Sequence, residues 1–189
     1  MSAKGILLMY EYACKVERVV DGDTVDCHLD LGFGIVYSSQ RIRLYGIDAP
    51  ESRTRDLVEK KYGLLAKEFL TEQLRKAEET GTLMVRTYLD DKGKFGRILG
   101  SFIFYDANQE EVDLNQYMVE MGHAADYFGQ NKEEIKEQLI QNRYIVDNNA
   151  RQLVIEAPVP GLSDFEWTKE TDQKLTDAMA VVKELRGKN

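Results

Sequence analysis

Apolar and polar residues alternate along the first third of the chain in short stretches that turn at Gly and Asp. Tyr12 to Val20 alternates imperfectly and is rich in valine and charge. Asp21-Gly22-Asp23 follows as a turn signal, and Thr24 to Leu31 alternates again, with Val25, Cys27 and Leu29 on one side and Asp26, His28 and Asp30 on the other. Period-two patterning around such a turn predicts a β-hairpin. Gly32-Phe33-Gly34 breaks it, and Gln40 to Ile47 predicts a third strand that sets Ile42, Leu44 and Gly46 against Arg41, Arg43 and Tyr45. Pro50 ends that strand because it has no N–H to give to a ladder. Residues 51–62 read as a polar loop. From Tyr62 to Lys76 the positions Leu64, Leu65, Phe69, Leu70 and Leu74 recur at helical spacing, and Gly81 closes the helical region. Leu83 to Leu89 predicts a fourth strand, 90–94 a turn, Arg97 to Tyr105 a fifth strand, and Asp106-Ala107-Asn108 another turn. Asp113 or Asn115 is placed to cap a helix through Met121, stopped by Gly122, and a further helix is predicted across Lys132–Val146.

Three strands, a helix, two strands and then helices is not the repeating βα order of a doubly wound sheet. It predicts an α+β chain, mainly β: a five-stranded OB-fold barrel with a helix between strands 3 and 4 and C-terminal helices. Such a fold does not by itself fix an activity. The barrel domain is expected over 1–149. Residues 150–189 read as an extension, with a linker around Pro158, Pro160 and Gly161 and an amphipathic helix marked by Leu175, Ala178, Met179, Val182 and Leu185. That helix, within 170–186, is expected to pack on the body or on a second copy.

Charge complicates any nucleic-acid role. Against 25 Lys and Arg stand 33 Asp and Glu, a net charge of −8, whereas phosphate-backbone binders usually carry a basic face. The acidity is uneven: residues 41–97 hold 13 basic and 10 acidic side chains, net +3, while residues 106–137 hold 2 and 9, net −7. No apolar run approaches the ~20 residues that span a bilayer. The apolar start, Ile6 to Met9, is shorter than the ~7–15-residue core of a signal peptide. The chain therefore reads as cytoplasmic with no membrane partner, and secretion stays open if a leader has been removed. Two cysteines make neither a disulfide framework nor a four-ligand zinc site. With Val16 facing Cys27, Cys14 becomes a diagonal neighbour of Cys27 at roughly 7–8 Å, too far for an unstrained disulfide. His28 and His123 have no partner at metal or catalytic spacing and read as strand and loop histidines.

Three segments at strand ends or turns carry candidate chemistry: 20–25 (Val-Asp-Gly-Asp-Thr-Val), 43–51 (Arg-Leu-Tyr-Gly-Ile-Asp-Ala-Pro-Glu) and 94–97 (Lys-Phe-Gly-Arg). Asp23, Asp48 and Glu51 are the oxygen donors that a hard divalent cation takes. The first segment is no EF-hand loop, since Val25 occupies its fifth position and no glutamate closes it at the twelfth. Arg43 and Arg97 offer paired donors to phosphate oxygens. Beside a cation they would clamp a phosphodiester and offset charge developing in its transition state.

These segments, in this order, resemble the staphylococcal nuclease (thermonuclease) family of OB-fold nucleases. The likeness runs from about residue 12 to 147 and includes 58–63 before the first helix and Leu114-Asn115, Met118-Val119 and Gly122-His123-Ala124 further on. The resemblance implies a Ca²⁺-dependent, sugar-nonspecific nuclease that cuts DNA and RNA by in-line attack of water and leaves 3′-phosphates, with unpaired strands favoured. It assigns Asp23, Asp48 and the backbone carbonyl of Ala49 as Ca²⁺ ligands, with Asp21 shaping the pocket behind them. Glu51 would hold the attacking water, and Arg43 and Arg97 the scissile phosphate. Lys94, Phe95 and Tyr127 would contact the remaining nucleotide, Phe95 standing where the best-known member has tyrosine. The alternative is a non-catalytic relative that binds nucleic acid or protein; such a module has no physical need for the full carboxylate and arginine set.

Overall fold

The structure is a computed structural model that describes residues 10–88 and 98–156, with side chains described as far as Asn149. Leu89, the turn over 90–94, Lys94, Phe95, Arg97, the linker at 158–161 and the helix at 170–186 lie outside the described residues. The chain divides into two units, Met1–Asn149 and Ala150–Asn189, and the account below concerns the first.

Among the described residues, eight strands and three helices run in the order β1 (Tyr10–Asp21), β2 (Thr24–Asp30), β3 (Val36–Leu44), β4 (Ile47–Asp48), α1 (Leu57–Thr80), β5 (Met84–Tyr88), β6 (Ile98–Tyr105), β7 (Glu111–Asp113), α2 (Leu114–Glu120), β8 (Ala125–Asp126) and α3 (Lys132–Glu156). The sheet order is β3-β2-β1-β5-β6-β7. A parallel pairing of Ile42, Arg43 and Leu44 with Ile98, Leu99 and Gly100 closes β3 onto β6. Five strands thus form a closed mixed barrel, the α+β OB-fold expected, with β7 added outside it. The first hairpin keeps the expected register, Val16 opposite Cys27 and Asp21 opposite Thr24, with bulges after Val16 and Val19. Bulges raise the local twist and re-aim side chains, and here they lie just before Asp21. Cys14 and Cys27 are free thiols.

Val25, Cys27, Leu29, Ile42, Leu44, Val85 and Phe102 fill the barrel, and Leu114 and Met118 of α2 join them. The helix face differs from the periodicity. Ala66, Leu70, Leu74 and Ala77 are buried while Leu64 is 49% exposed. Near its start the helix carries small residues, Gly63 and Ala66, because there it lies against the loop at Glu51-Ser52 and the turn at Gly22. A Cβ on Gly63 would meet backbone atoms of Glu51 and Ser52 at 2.5–2.6 Å. Glycine inside a helix costs about 1 kcal/mol relative to alanine, so its presence marks a required approach.

Boundaries move for identifiable reasons. α1 begins at Leu57, inside the expected loop, because the Asp56 carboxylate accepts from the N–H groups of Val58 (2.9 Å) and Glu59 (3.1 Å). The third strand is split at Tyr45-Gly46, where Gly46 takes φ 75°, and Ile47-Asp48 instead pair with Asp126 and Ala125 of β8. Strands of two or three residues leave no periodicity, so β4, β7 and β8 were invisible to patterning. Between the two candidates, Asp113 is the N-cap of α2, accepting from Asn115 N (2.9 Å) and Gln116 N (3.2 Å). α3 continues past Val146 to Glu156 because no Gly or Pro stands before Pro158.

Candidate active site

The β1–β2 turn, the β3 end and the loop after β4 meet at one rim of the barrel. Gly22 makes this possible: a Cβ there would meet the Ala49 and Ala66 methyl carbons at 2.8 and 2.9 Å. The turn therefore seats directly on the loop that follows Asp48. Asn115, buried beneath, fixes the other side. Its Nδ2 donates to the carbonyls of Tyr45 (3.0 Å) and Gly100 (3.1 Å), and its Oδ1 accepts from Phe102 N (3.3 Å). One side chain thus ties the β3–β4 turn to β6.

Asp23 is buried. Its carboxylate accepts from the Thr24 hydroxyl (2.8 Å) and from Ala49 N (3.3 Å), and is ion-paired with the Arg43 guanidinium. The same guanidinium pairs with Asp48. Burial pushes the Asp23 carboxyl above the ordinary carboxylate range; Arg43 and Thr24 oppose the shift and Asp48 adds to it. Burial disfavours the charge on Arg43, but Asp23 and Asp48 outweigh it and hold the guanidinium ionised. Asp21 is also buried and accepts from Gly22 N (3.1 Å) and Ser52 N (3.3 Å), with Arg53 3.8 Å away. Glu51 is exposed, yet partial desolvation and then the charges of Asp21, Asp23 and Asp48 raise its pKa against the pull of Arg43.

These groups face an open cavity of about 200 Å³ lined by Val20, Asp21, Asp23, Thr24, Arg41, Arg43, Glu51 and Arg53. Asp21, Asp23, Arg43, Asp48, Ala49 and Glu51 are therefore brought together, as the sequence places them. Asp21, Asp23 and Glu51, with Asp48 paired to Arg43 beside them, face the guanidiniums of Arg41, Arg43 and Arg53 in a partly desolvated place. Among the described residues no three His, Cys, Asp or Glu side chains stand in ready coordinating positions; Arg43 occupies the space between Asp23 and Asp48. The donor set is nevertheless hard oxygen, which suits Ca²⁺, Mg²⁺ or Mn²⁺.

Tyr127 lies on the same side as the β3–β4 turn, its N–H donating to Gly46 O at 2.7 Å. The patterning missed the aromatic group next to it. Tyr45 stacks on Tyr88 with centroids 4.2 Å apart and meets the edge of exposed Phe128 at 6.2 Å. It also missed Arg41, whose alternation with Ile42 and Arg43 on β3 was the available signal.

His123 does no visible work in the cavity. It is buried, stacks on Phe69 at 4.3 Å, and its Nδ1 has no partner. Burial lowers its pKa to about 4.

A family model described as staphylococcal nuclease homologue matches residues 41–153. The match begins at Arg41, after the turn that carries Asp21 and Asp23. Among curated proteins, Endonuclease YhcR of Bacillus subtilis (strain 168) is 30% identical over 123 residues, which are 62% of this chain and 9% of that protein. The chain thus corresponds to a small part of that relative's length.

Proposed function

The chain belongs to the staphylococcal nuclease homologue family, and on that premise we propose that it is a nuclease, a hydrolase of phosphodiester bonds in DNA and RNA. The observation that carries this reading is the guanidinium of Arg43 bridging buried Asp23 and partly exposed Asp48 at a cavity that Glu51 also lines. In this reading the cation would be Ca²⁺, and Asp23, Asp48 and the Ala49 carbonyl would hold it, with Asp21 behind them. When bound, such an ion supplies Lewis-acid polarisation of a phosphoryl oxygen. The chain's own groups do the rest. Arg43, released from Asp23 and Asp48, presents a fork of N–H donors to the scissile phosphate. Arg97 is assigned the second fork by its place in the motif. Glu51, with its pKa raised, accepts hydrogen bonds from the attacking water and takes its proton as the new O–P bond forms. The P–O5′ bond breaks, the 5′-oxygen leaves with the bonding pair and takes a proton from solvent, and a 3′-phosphate remains. Unpaired strands are favoured because Tyr127 and its aromatic neighbours offer faces on which a base can stack.

The test is direct. Purified protein is incubated with single-stranded DNA and with RNA, in Ca²⁺ and in EDTA. Degradation to 3′-phosphate ends in Ca²⁺ alone is expected. Binding without cleavage in any divalent cation would overturn the reading in favour of a non-catalytic binding domain.

A further inference from the structure

Next to the cavity, a second carboxylate–arginine cluster sits on the outward face of the same strands. Asp26 of β2 is buried, its side chain 8% exposed. It accepts from Arg41 Nε (2.7 Å) and Nη2 (2.9 Å) of β3 and from Arg18 Nε (2.8 Å) of β1. The Arg18 and Arg41 side chains remain 65% and 44% exposed. Two guanidiniums on one carboxylate leave the cluster with a charge of +1. A guanidinium has five N–H donors, so Arg41 keeps three after its two bonds to Asp26.

Arg41 and Arg43 are alternate residues of β3, on one face and about 6.6 Å apart along the strand. Both line the same cavity. That interval is about one nucleotide step of an extended strand. Arg18 lies beyond Arg41, across Asp26. We infer that Arg41, held by Asp26 and backed by Arg18, is a second phosphate-binding position that takes the backbone phosphate adjacent to the one at Arg43 and leads a single strand out along the β1–β2–β3 face. The inference rests on the nuclease reading of the cavity and names the direction in which the substrate strand runs from it. Buried Asp26 sets where the Arg41 guanidinium lies, while its negative charge weakens the pull of both arginines on an anion. That placement also explains an otherwise puzzling arrangement, in which one acid is buried solely to hold two largely solvated bases.

The test uses the full chain and three variants, Arg41→Gln, Asp26→Asn and the double variant Asp26→Asn/Arg41→Gln, each first checked by thermal melting. In Ca²⁺ at low ionic strength, KM is measured on a long oligothymidylate and on a single-diester thymidine substrate. Arg41→Gln is expected to raise KM on the long strand about tenfold, with kcat little changed and a much smaller effect on the single diester. The slope of log KM against log salt should flatten by about 0.7, one phosphate contact on a single strand. Asp26→Asn frees both arginines and should lower KM on the long strand, which is opposite to the effect of Arg41→Gln. A purely structural salt bridge predicts the same sign for both variants, and that result would overturn the inference. Equal losses on long and short substrates would also overturn it, by assigning Arg41 to the scissile phosphate. If Arg41→Gln alone does not fold, the double variant is compared with Asp26→Asn, where no buried charge is stranded. If the wild type cleaves nothing, the nuclease reading fails by itself. Binding of a labelled oligothymidylate by Asp26→Asn and by the double variant still decides this one: weaker binding by the double variant supports it, and equal binding overturns it.

Discussion

Asp23 and Asp26 stand three residues apart on one hairpin. Both are buried and both hold arginine, yet their carboxyls are driven in opposite directions. Asp23 shares a single guanidinium with Asp48 and lies near two more acids, and burial raises its pKa. Asp26 has two guanidiniums to itself, and the bonds from Arg41, then those from Arg18, outweigh burial and lower its pKa to about 2. The difference is one of charge balance. Asp26 is satisfied by the chain alone and serves architecture and placement. Asp23 is under-compensated by the chain, the condition expected of a carboxylate whose full partner set includes a group that comes and goes. Position on the strand does not separate the two; the count of opposite charges does.

The strongest way to break this comparison is through activity. Glu51→Gln keeps shape and removes the proton acceptor, so kcat is expected to fall by about 10²–10⁴-fold with the melting temperature nearly unchanged. Asp23→Asn should lose activity at least as completely, yet melt no lower than the wild type at neutral pH, because the amide relieves an under-compensated buried charge. Turnover assays with parallel melts check both. Full activity in Glu51→Gln would remove the proposed mechanism. A large drop in stability in Asp23→Asn would show that the two aspartates are alike after all.

The contrast marks what the sequence makes legible. Five barrel strands, the helix between strands 3 and 4 and the carboxylates of the rim follow from period-two stretches and three motifs. Lys94, Phe95 and Arg97 also come from the motifs, but lie outside the described residues. The break at Tyr45-Gly46 did not show, because it is set by a pairing of Ile47-Asp48 with Ala125-Asp126, far along the chain. Alternation put Asp26 on the solvent side with His28 and Asp30. It is buried nonetheless, because the long stems of Arg18 and Arg41 close over it. Periodicity reports which side of a strand a residue occupies, and says nothing of whether neighbours on that side cover it. The same limit applies to Asn115, which reads as a second possible helix cap and proves to be a buried clamp on three backbone groups.

A buried titratable group whose Nδ1 has no hydrogen-bond partner sharpens the comparison further. His123 has a pKa of about 4, below its unfolded value, because burial disfavours the imidazolium. A neutral buried histidine contributes stability that is present above the unfolded pKa, near 6.5, and is lost as pH falls toward the folded value near 4, since the unfolded chain then binds the proton first. The loss across that window is expected to be roughly 2–3 kcal/mol. Replacing His123 by phenylalanine should flatten this segment of the pH–stability curve, read from denaturant melts at pH 7, 5.5 and about 4.

Asp26 gives a lower window with the same sign. Its folded pKa lies below the unfolded one, so the contribution is present above about pH 3.8 and is lost as pH falls through about 2. Exposure of both arginines reduces its size, and Asp26→Asn is expected to cost about 1–2 kcal/mol at neutral pH. Melts of wild type and variant should converge toward pH 2. Arg18→Gln marks the bottom of the scale. Its guanidinium is 65% exposed and Asp26 retains both bonds from Arg41, so the change in stability should stay within about 0–1 kcal/mol. If Arg18→Gln cost as much as Asp26→Asn, the two arginines would be one inseparable unit. Arg41 could not then present its remaining donors independently, and the division of labour between the two aspartates would need to be redrawn around the pair of arginines.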